Sequence, residues 1–135
     1  MKIGLGIALL LFASISYAEE PAFKCNPEGN QAELSQCAYD RYQAADKQLN
    51  DTWKQLMAKF KGDKTATAKL KTAQKAWIAF RDAEIDAMFA CDAQDRTCWG
   101  SMEPMLRNGE LAALTKDRTT RLQKYLKQGL GVPME

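Results

Sequence analysis

Three long stretches of this chain carry apolar residues at steps of three and four, and this spacing constrains the fold more than any other feature. They cover 31–60, 65–90 and about 101–128, and apart from Pro104 and Gly109 they lack proline and glycine. Apolar residues at this spacing fall on one face of an α-helix. Because the two-residue alternation typical of strands is absent, we predict an all-α fold, an antiparallel three-helix bundle with long helices.

Short breaks between these stretches supply the residues that begin and end the predicted helices. Asp63 or Thr65 is suited to cap the start of the second helix, and Ser101 the start of the third. Gly129 is suited to end the third helix, since glycine is common just past a helix C-terminus. We therefore expect each helix to begin and end close to these positions.

The N-terminal segment has the pattern of a secretory signal peptide. Lys2 precedes an apolar run over 3–13, and Ser16 and Ala18 are the small residues that a signal peptidase requires. The run is too short for a stable membrane anchor. We predict cleavage near Ala18, which leaves a single helical domain over 19–135, without a transmembrane segment, in the periplasm or secreted.

The residue composition excludes several classes of function. The chain has no histidine, which excludes Ser-His and Cys-His catalysis and removes the commonest metal ligand. Its four cysteines lack the close C-x₂₋₄-C pairs of a zinc site. Nucleic-acid binding is disfavoured by export and by lysines that are not interleaved with aromatic residues. We therefore predict a protein that is not an enzyme and that needs no metal or cofactor.

The four cysteines of an exported chain are expected to form two disulfides. The simplest pairing joins Cys25 to Cys37 and Cys91 to Cys98. In this arrangement the second bond closes the turn between the second and third helices. Crossed pairings such as Cys25 with Cys98 remain open, because all of these segments share one end of the predicted bundle.

Several polar residues fall within the apolar stripes and should reach the shared interior around a tryptophan. The set consists of Asp46, Asn50, Gln74, Trp77, Arg81, Thr115 and Arg118. Buried charges need partners, and we expect Asp46 to pair with Arg81 or Arg118. We interpret the set as a network that fixes helix register rather than a catalytic cluster, because no activated nucleophile accompanies it.

The segments that contain these residues resemble the LprI-like family of exported bacterial proteins. The family pattern includes D-x₂-L-N in the first helix, A-Q-x₂-W-x₃-R-D in the second and L-T-x₂-R-x₃-L in the third. Here these motifs cover 46–50, 73–82 and 114–122. The resemblance extends over about 25–126 and implies an all-helical, disulfide-bonded, exported domain with the role of a lysozyme inhibitor.

The chain departs from this family at one pair of cysteines. Relatives commonly carry a cysteine just after the R-D-A-E stretch and another shortly before L-T, where this chain has Ile85 and Glu110. Both cysteines are absent together, as expected for a bonded pair. Cys91 and Cys98 therefore resemble a relocated replacement for the family's disulfide.

Charge is distributed unevenly between the two ends of the predicted bundle. The end that holds the cysteines, here the acidic end, carries Glu28, Glu33, Asp40, Asp82, Glu84, Asp86, Asp92, Asp95 and Glu103. The opposite, lysine-rich end carries Lys54, Lys59, Lys61, Lys64, Lys69, Lys71, Lys75, Lys116, Arg118, Arg121, Lys124 and Lys127. Matching to helix dipoles explains this order in the first and third helices but not in the second, whose lysines lie near its N-terminus.

Two functions are compatible with these features. The resemblance and the acidic end favour a periplasmic binding protein that blocks a lysozyme or another cationic protein, with Asp92, Asp95 and Arg96 as candidate contacts. The alternative is a non-catalytic, envelope-associated module that places its lysine-rich end on an anionic surface.

Overall fold

A computed structural model describes residues 24–131 of the chain. Its helices are α1 (Gln31–Lys59), α2 (Lys64–Met88) and α3 (Glu103–Gln128), and a 3₁₀ turn over Gly100–Met102 precedes α3. These residues contain no strand, so the predicted all-α three-helix bundle is confirmed. The predicted signal peptide, residues 1–18, lies outside the described residues.

Polar side chains begin the first two helices. The Asn30 side chain accepts hydrogen bonds from the amides of Ala32 and Glu33, and the Glu33 carboxylate accepts one from the Asn30 amide at 2.8 Å. This reciprocal pair is a capping box. Asp63 caps α2 by accepting from the Ala66 amide at 2.8 Å, so Asp63 rather than Thr65 fills the predicted position.

The predicted N-cap of the third helix is wrong. Ser101 lies inside the 3₁₀ turn, and Met102 occupies the N-cap position without a side-chain hydrogen bond. The turn is entered through Gly100, whose positive φ of 55° suits glycine. Gly129 ends α3 as predicted, with its amide donating to the Tyr125 carbonyl at 3.0 Å.

Helices α1 and α3 run parallel and lie close together along most of their length. The Gln31 amide contacts the Met105 sulfur at 3.8 Å near their beginnings, and the Lys59 ammonium donates to the Leu126 carbonyl near their ends. Their buried faces hold the small residues Ala38, Ala45, Thr52, Ala112, Thr115 and Thr119. Small side chains permit a short interaxial distance, so these two helices form the tightest layer of the bundle.

Helix α2 returns antiparallel to this pair and stands further from it. It faces the pair with larger side chains, including Leu70, Trp77 and Ile85. Its Leu70 joins Leu49, Leu56 and Leu122 in the main hydrophobic core, which lies towards the lysine-rich end. The stability of the acidic end therefore depends less on this core and more on the two disulfides and the contacts described below.

None of the helices in the described part of the chain combines the length and hydropathy needed to cross a bilayer.

Candidate functional site

Two local disulfides hold the acidic end together. Cys25 is bonded to Cys37 and Cys91 to Cys98, with Cα atoms 5.8 and 5.9 Å apart, within the usual range for disulfides. The predicted local pairing is confirmed and the crossed pairings are wrong. The first bond ties the segment before α1 to that helix, and the second closes the loop between α2 and α3.

The 91–98 loop is ordered by hydrogen bonds of its own. The Asp95 carboxylate accepts from the Thr97 amide at 3.1 Å and from the Thr97 hydroxyl at 3.2 Å. The Asp95 amide donates to the Asp92 carbonyl at 3.0 Å, and the Gly100 amide to the Thr97 carbonyl at 2.8 Å. Asp95, one of the predicted contact residues, thus has its carboxylate engaged in shaping the loop.

An aromatic and cationic stack fixes the loop to the helices beneath it. The rings of Phe89 and Trp99 lie 5.2 Å apart, and the Arg107 guanidinium lies 5.0 Å from the Phe89 ring. Arg107 also pairs with Glu103 of α3 at 3.1 Å and with Asp86 of α2 at 3.2 Å. This stack joins the end of α2 to the start of α3, on the two sides of the disulfide loop in the sequence.

The loop presents charged and apolar side chains to solvent. Asp92 and Arg96 are exposed, and neither side chain has a hydrogen bond or ion pair with another residue of 24–131. Next to them, Trp99 and Met102 keep 38% and 48% of their surface exposed. We call Asp92, Arg96, Trp99 and Met102 the loop surface. Its apolar part was not predicted, although large apolar residues directly after a disulfide loop were a usable signal.

Three members of the predicted polar set, Gln74, Arg81 and Arg118, lie around Trp77. The Arg118 Nε donates to the Gln74 side-chain oxygen at 2.9 Å, which joins α3 to α2. The guanidinium groups of Arg81 and Arg118 lie 5.3 and 5.8 Å from the Trp77 ring. Arg81 pairs with Asp82 at 2.7 Å. Burial lowers the pKa of Arg118, yet a guanidinium stays charged at neutral pH.

The expected pairing of Asp46 with an arginine is not formed among the described residues. The Asp46 carboxylate instead accepts from the Asn50 amide at 2.9 Å, one helical turn away. Burial raises the pKa of the neighbouring Tyr42 hydroxyl; the positive Arg81 opposes this rise and the negative Asp46 adds to it. Thr115, the remaining predicted member, is fully buried and its hydroxyl has no partner there.

Within the described part of the chain, every cysteine is bonded and no group of acidic or thiol side chains is placed to hold a metal ion. At the acidic end, the loop surface brings charged and apolar side chains to solvent next to one another. This arrangement suits docking against another molecule.

The fold defines a small, all-helical domain with two disulfides at one end. The sequence profile of the family described as "Lysozyme inhibitor LprI" matches residues 24–122. This chain belongs to the LprI lysozyme inhibitor family, which confirms the resemblance seen in the sequence. It is 35% identical over 129 residues to an uncharacterized protein of Rhizobium meliloti (strain 1021), with 87% of this chain and 89% of that protein covered. No solved structure matches the chain.

Proposed function

We propose that this protein is an exported, non-catalytic inhibitor that binds a lysozyme through the loop surface. The observation that carries the proposal is Arg96, an exposed cation without a hydrogen-bond or ion-pair partner among residues 24–131, on a loop closed by a disulfide in a chain of this family. Export would use the signal peptide over 1–18 and leave the domain over 19–135. The intact mass of the exported protein checks cleavage after Ala18.

The geometry of the loop favours binding because little order has to be gained on docking. The disulfide, the Asp95 hydrogen bonds and the Phe89–Trp99 stack already fix the backbone. A preordered loop loses less conformational entropy when it docks. Trp99 supplies the kind of large side chain that dominates binding energy at interfaces.

The charges of the acidic end and of Arg96 have different roles in the proposed binding. The acidic end attracts a cationic protein and raises its association rate. Lysozymes act through a pair of carboxyl groups, and a guanidinium forms short, charge-assisted hydrogen bonds with carboxylates. We infer that the acidic end steers the enzyme and that Arg96 then occupies the region of its catalytic carboxylates.

An inhibition assay with purified lysozymes tests this proposal. Wild-type protein is expected to inhibit, and Arg96→Ala is expected to weaken inhibition about tenfold or more, as for a central interface arginine. Arg121→Ala is the matched control, since Arg121 is an exposed arginine at the lysine-rich end, and it should inhibit like wild type. Absence of inhibition by saturating wild-type protein, across lysozymes of different classes, would overturn the proposal.

A second candidate function rests on the exposed lysines of the opposite end. Lys61, Lys64 and Lys124 are exposed there, at the α1–α2 turn and in the last turns of α3. Each lysine near an anionic lipid surface contributes about 1 kcal/mol at moderate ionic strength. On this proposal the protein sediments with anionic vesicles at low salt and is released at high salt, and Lys61→Glu/Lys64→Glu sediments less. Equal sedimentation with neutral vesicles would exclude it.

A further inference from the structure

Helix α2 carries a second apolar face that no part of the described chain covers. Its first face, with Leu70, Trp77 and Ile85, packs towards α1 and α3. The second, which we call the outer stripe, consists of Ala73, Ala76, Phe80, Ala83 and Ala87. All five are exposed, and Phe80 keeps 56% of its surface in solvent. Their spacing of three, four, three and four residues is that of a helix–helix seam.

The charges of α2 run in the order that its own dipole disfavours. Its first half carries four lysines without an acidic residue, and its second half carries three acids with Arg81 as its one cation; the lysines are Lys64, Lys69, Lys71 and Lys75, and the acids are Asp82, Glu84 and Asp86. The first turn has no acid and the last turn has no base. A helix dipole favours the reverse order, so this arrangement costs α2 some stability as an isolated element.

The rest of the bundle does not compensate for this order. Because α2 is antiparallel to its neighbours, its lysine half lies at the lysine-rich end and its acidic half at the acidic end. Within residues 24–131, Asp86 with Arg107 at 3.2 Å is the one ion pair from α2 to another helix. The charges of α2 therefore match neither α1 nor α3. They are complementary to a surface that sets acidic residues beside the first half of α2 and basic residues beside its second half.

We propose that the outer stripe is a self-association surface, on which α2 pairs antiparallel with α2 of a second copy of this chain. The antiparallel arrangement runs the lysine half of each α2 alongside the acidic half of the other, about a two-fold axis, and Lys69, one turn before Ala73, is the lysine in line with the stripe. It also opposes the two helix dipoles favourably. A parallel pair would instead set lysine beside lysine.

The stripe provides large-against-small packing in this arrangement. Phe80 packs onto Ala76 of the partner subunit, and Ala73 onto Ala83 of the partner subunit. Lys69 then falls opposite Ala87 of the partner subunit and beside Asp86 of the partner subunit. Alanines on both helices let the backbones approach closely, so that Phe80 is covered on both sides.

The length of the stripe sets the expected strength of the dimer. Fourteen residue steps of helix extend over about 21 Å, and a contact of this length buries less than the roughly 1,200 Å² of a stable interface. We therefore expect a weak dimer that forms and dissociates with concentration. The loop surface at the end of the bundle takes no part in it, so this inference does not rest on lysozyme binding.

Sedimentation equilibrium of the purified, oxidised protein over a wide concentration range tests the dimer. Wild type should associate reversibly, and Phe80→Glu should raise the dissociation constant about tenfold or more, as for a central interface residue. Ile78→Glu is the matched control, because Ile78 is also apolar and 41% exposed but lies on another face of α2. A monomer at every concentration, or an equal effect of the two variants, overturns the proposal.

Charge reversals test the antiparallel direction. Lys69→Glu and Asp86→Lys should each weaken the dimer, and the double variant should recover most of the lost affinity, since it restores opposite charges across the two-fold axis. Circular dichroism checks that each variant keeps its helices. A double variant that loses as much dimer affinity as the two single variants together would contradict an antiparallel pair.

Discussion

At the scale of single residues, the unpartnered hydroxyl of Thr115 distinguishes it from Thr119, its neighbour in the core. Its Oγ1 is fully buried and has no hydrogen-bond partner among the described residues. Thr119, one turn later and also buried, donates its hydroxyl to the Thr115 carbonyl at 2.9 Å. A buried hydroxyl without a partner costs about 1–3 kcal/mol of folding free energy, whereas a bonded one does not.

We predict that Thr115→Val leaves the free energy of unfolding unchanged or raises it by about 1 kcal/mol, because an unsatisfied polar atom is removed. Valine and threonine have similar helix propensities, so propensity does not obscure the comparison. Thr119→Val should lower the free energy of unfolding by about 0.5–1.5 kcal/mol through loss of the hydrogen bond. Urea denaturation measures both. Equal destabilisation by the two substitutions would show that the Thr115 hydroxyl is bonded in solution.

The pairing of Asp46 shows where prediction from the sequence fails at this scale. From their positions in the apolar stripes, we expected Gln74, Trp77 and Arg118 to lie near one another, and they are in contact in the structure. The expected partner of Asp46 was wrong because Asn50 lies four residues along the same helix, and such neighbours compete with groups on other helices. Asp46 is half-buried, so solvent reduces its need for an arginine.

At the scale of elements, the two disulfides hold different parts of the acidic end. One fastens the segment before α1, and the other closes the loop that presents Arg96. Closing loops of this size stabilises a protein by roughly 2–3 kcal/mol on the entropic account. Only the second bond should bear on recognition.

We predict that the Cys91→Ser/Cys98→Ser variant loses stability and most of its lysozyme inhibition, because the loop must then be ordered on binding. The Cys25→Ser/Cys37→Ser variant should lose comparable stability and keep its inhibition. Thermal denaturation and the inhibition assay, both at a temperature where each variant is folded, separate the two effects. Equal loss of inhibition would mean that the loop surface acts only through the stability of the domain.

The helices themselves were largely predictable, and the junction before α3 was not. Apolar spacing and the residues Asp63 and Gly129 located the helix ends to within a few positions. Ser101 failed as a cap because Gly100 enters a 3₁₀ turn that carries the chain past it. A glycine directly before a serine permits such a turn, and local propensity does not decide between a 3₁₀ turn and an N-cap at the serine.

At the scale of the whole molecule, the bundle was predictable, but the choice of the closest helices was not. Neighbours in sequence usually pack together, yet α1 and α3 form the tight layer. The signal lay in Ala45 and Thr52 on α1 and in Ala112 and Thr119 on α3, since small residues at helical spacing permit close approach. This pattern of small residues can be interpreted only when it is known which helix faces are in contact, and the assembled fold determines those contacts.

The parallel α1–α3 layer has a consequence for the order in which the chain folds. Residues 60–102 separate the two helices, and contacts between distant segments form more slowly than local ones. A chain synthesised from its N-terminus delivers α1 long before α3, so α1 waits without its main partner. The α1 face with Ala45 and Leu49 stays open to proteases until the last helix has arrived, so chains that end before α3 should be degraded rather than accumulate as a folded fragment.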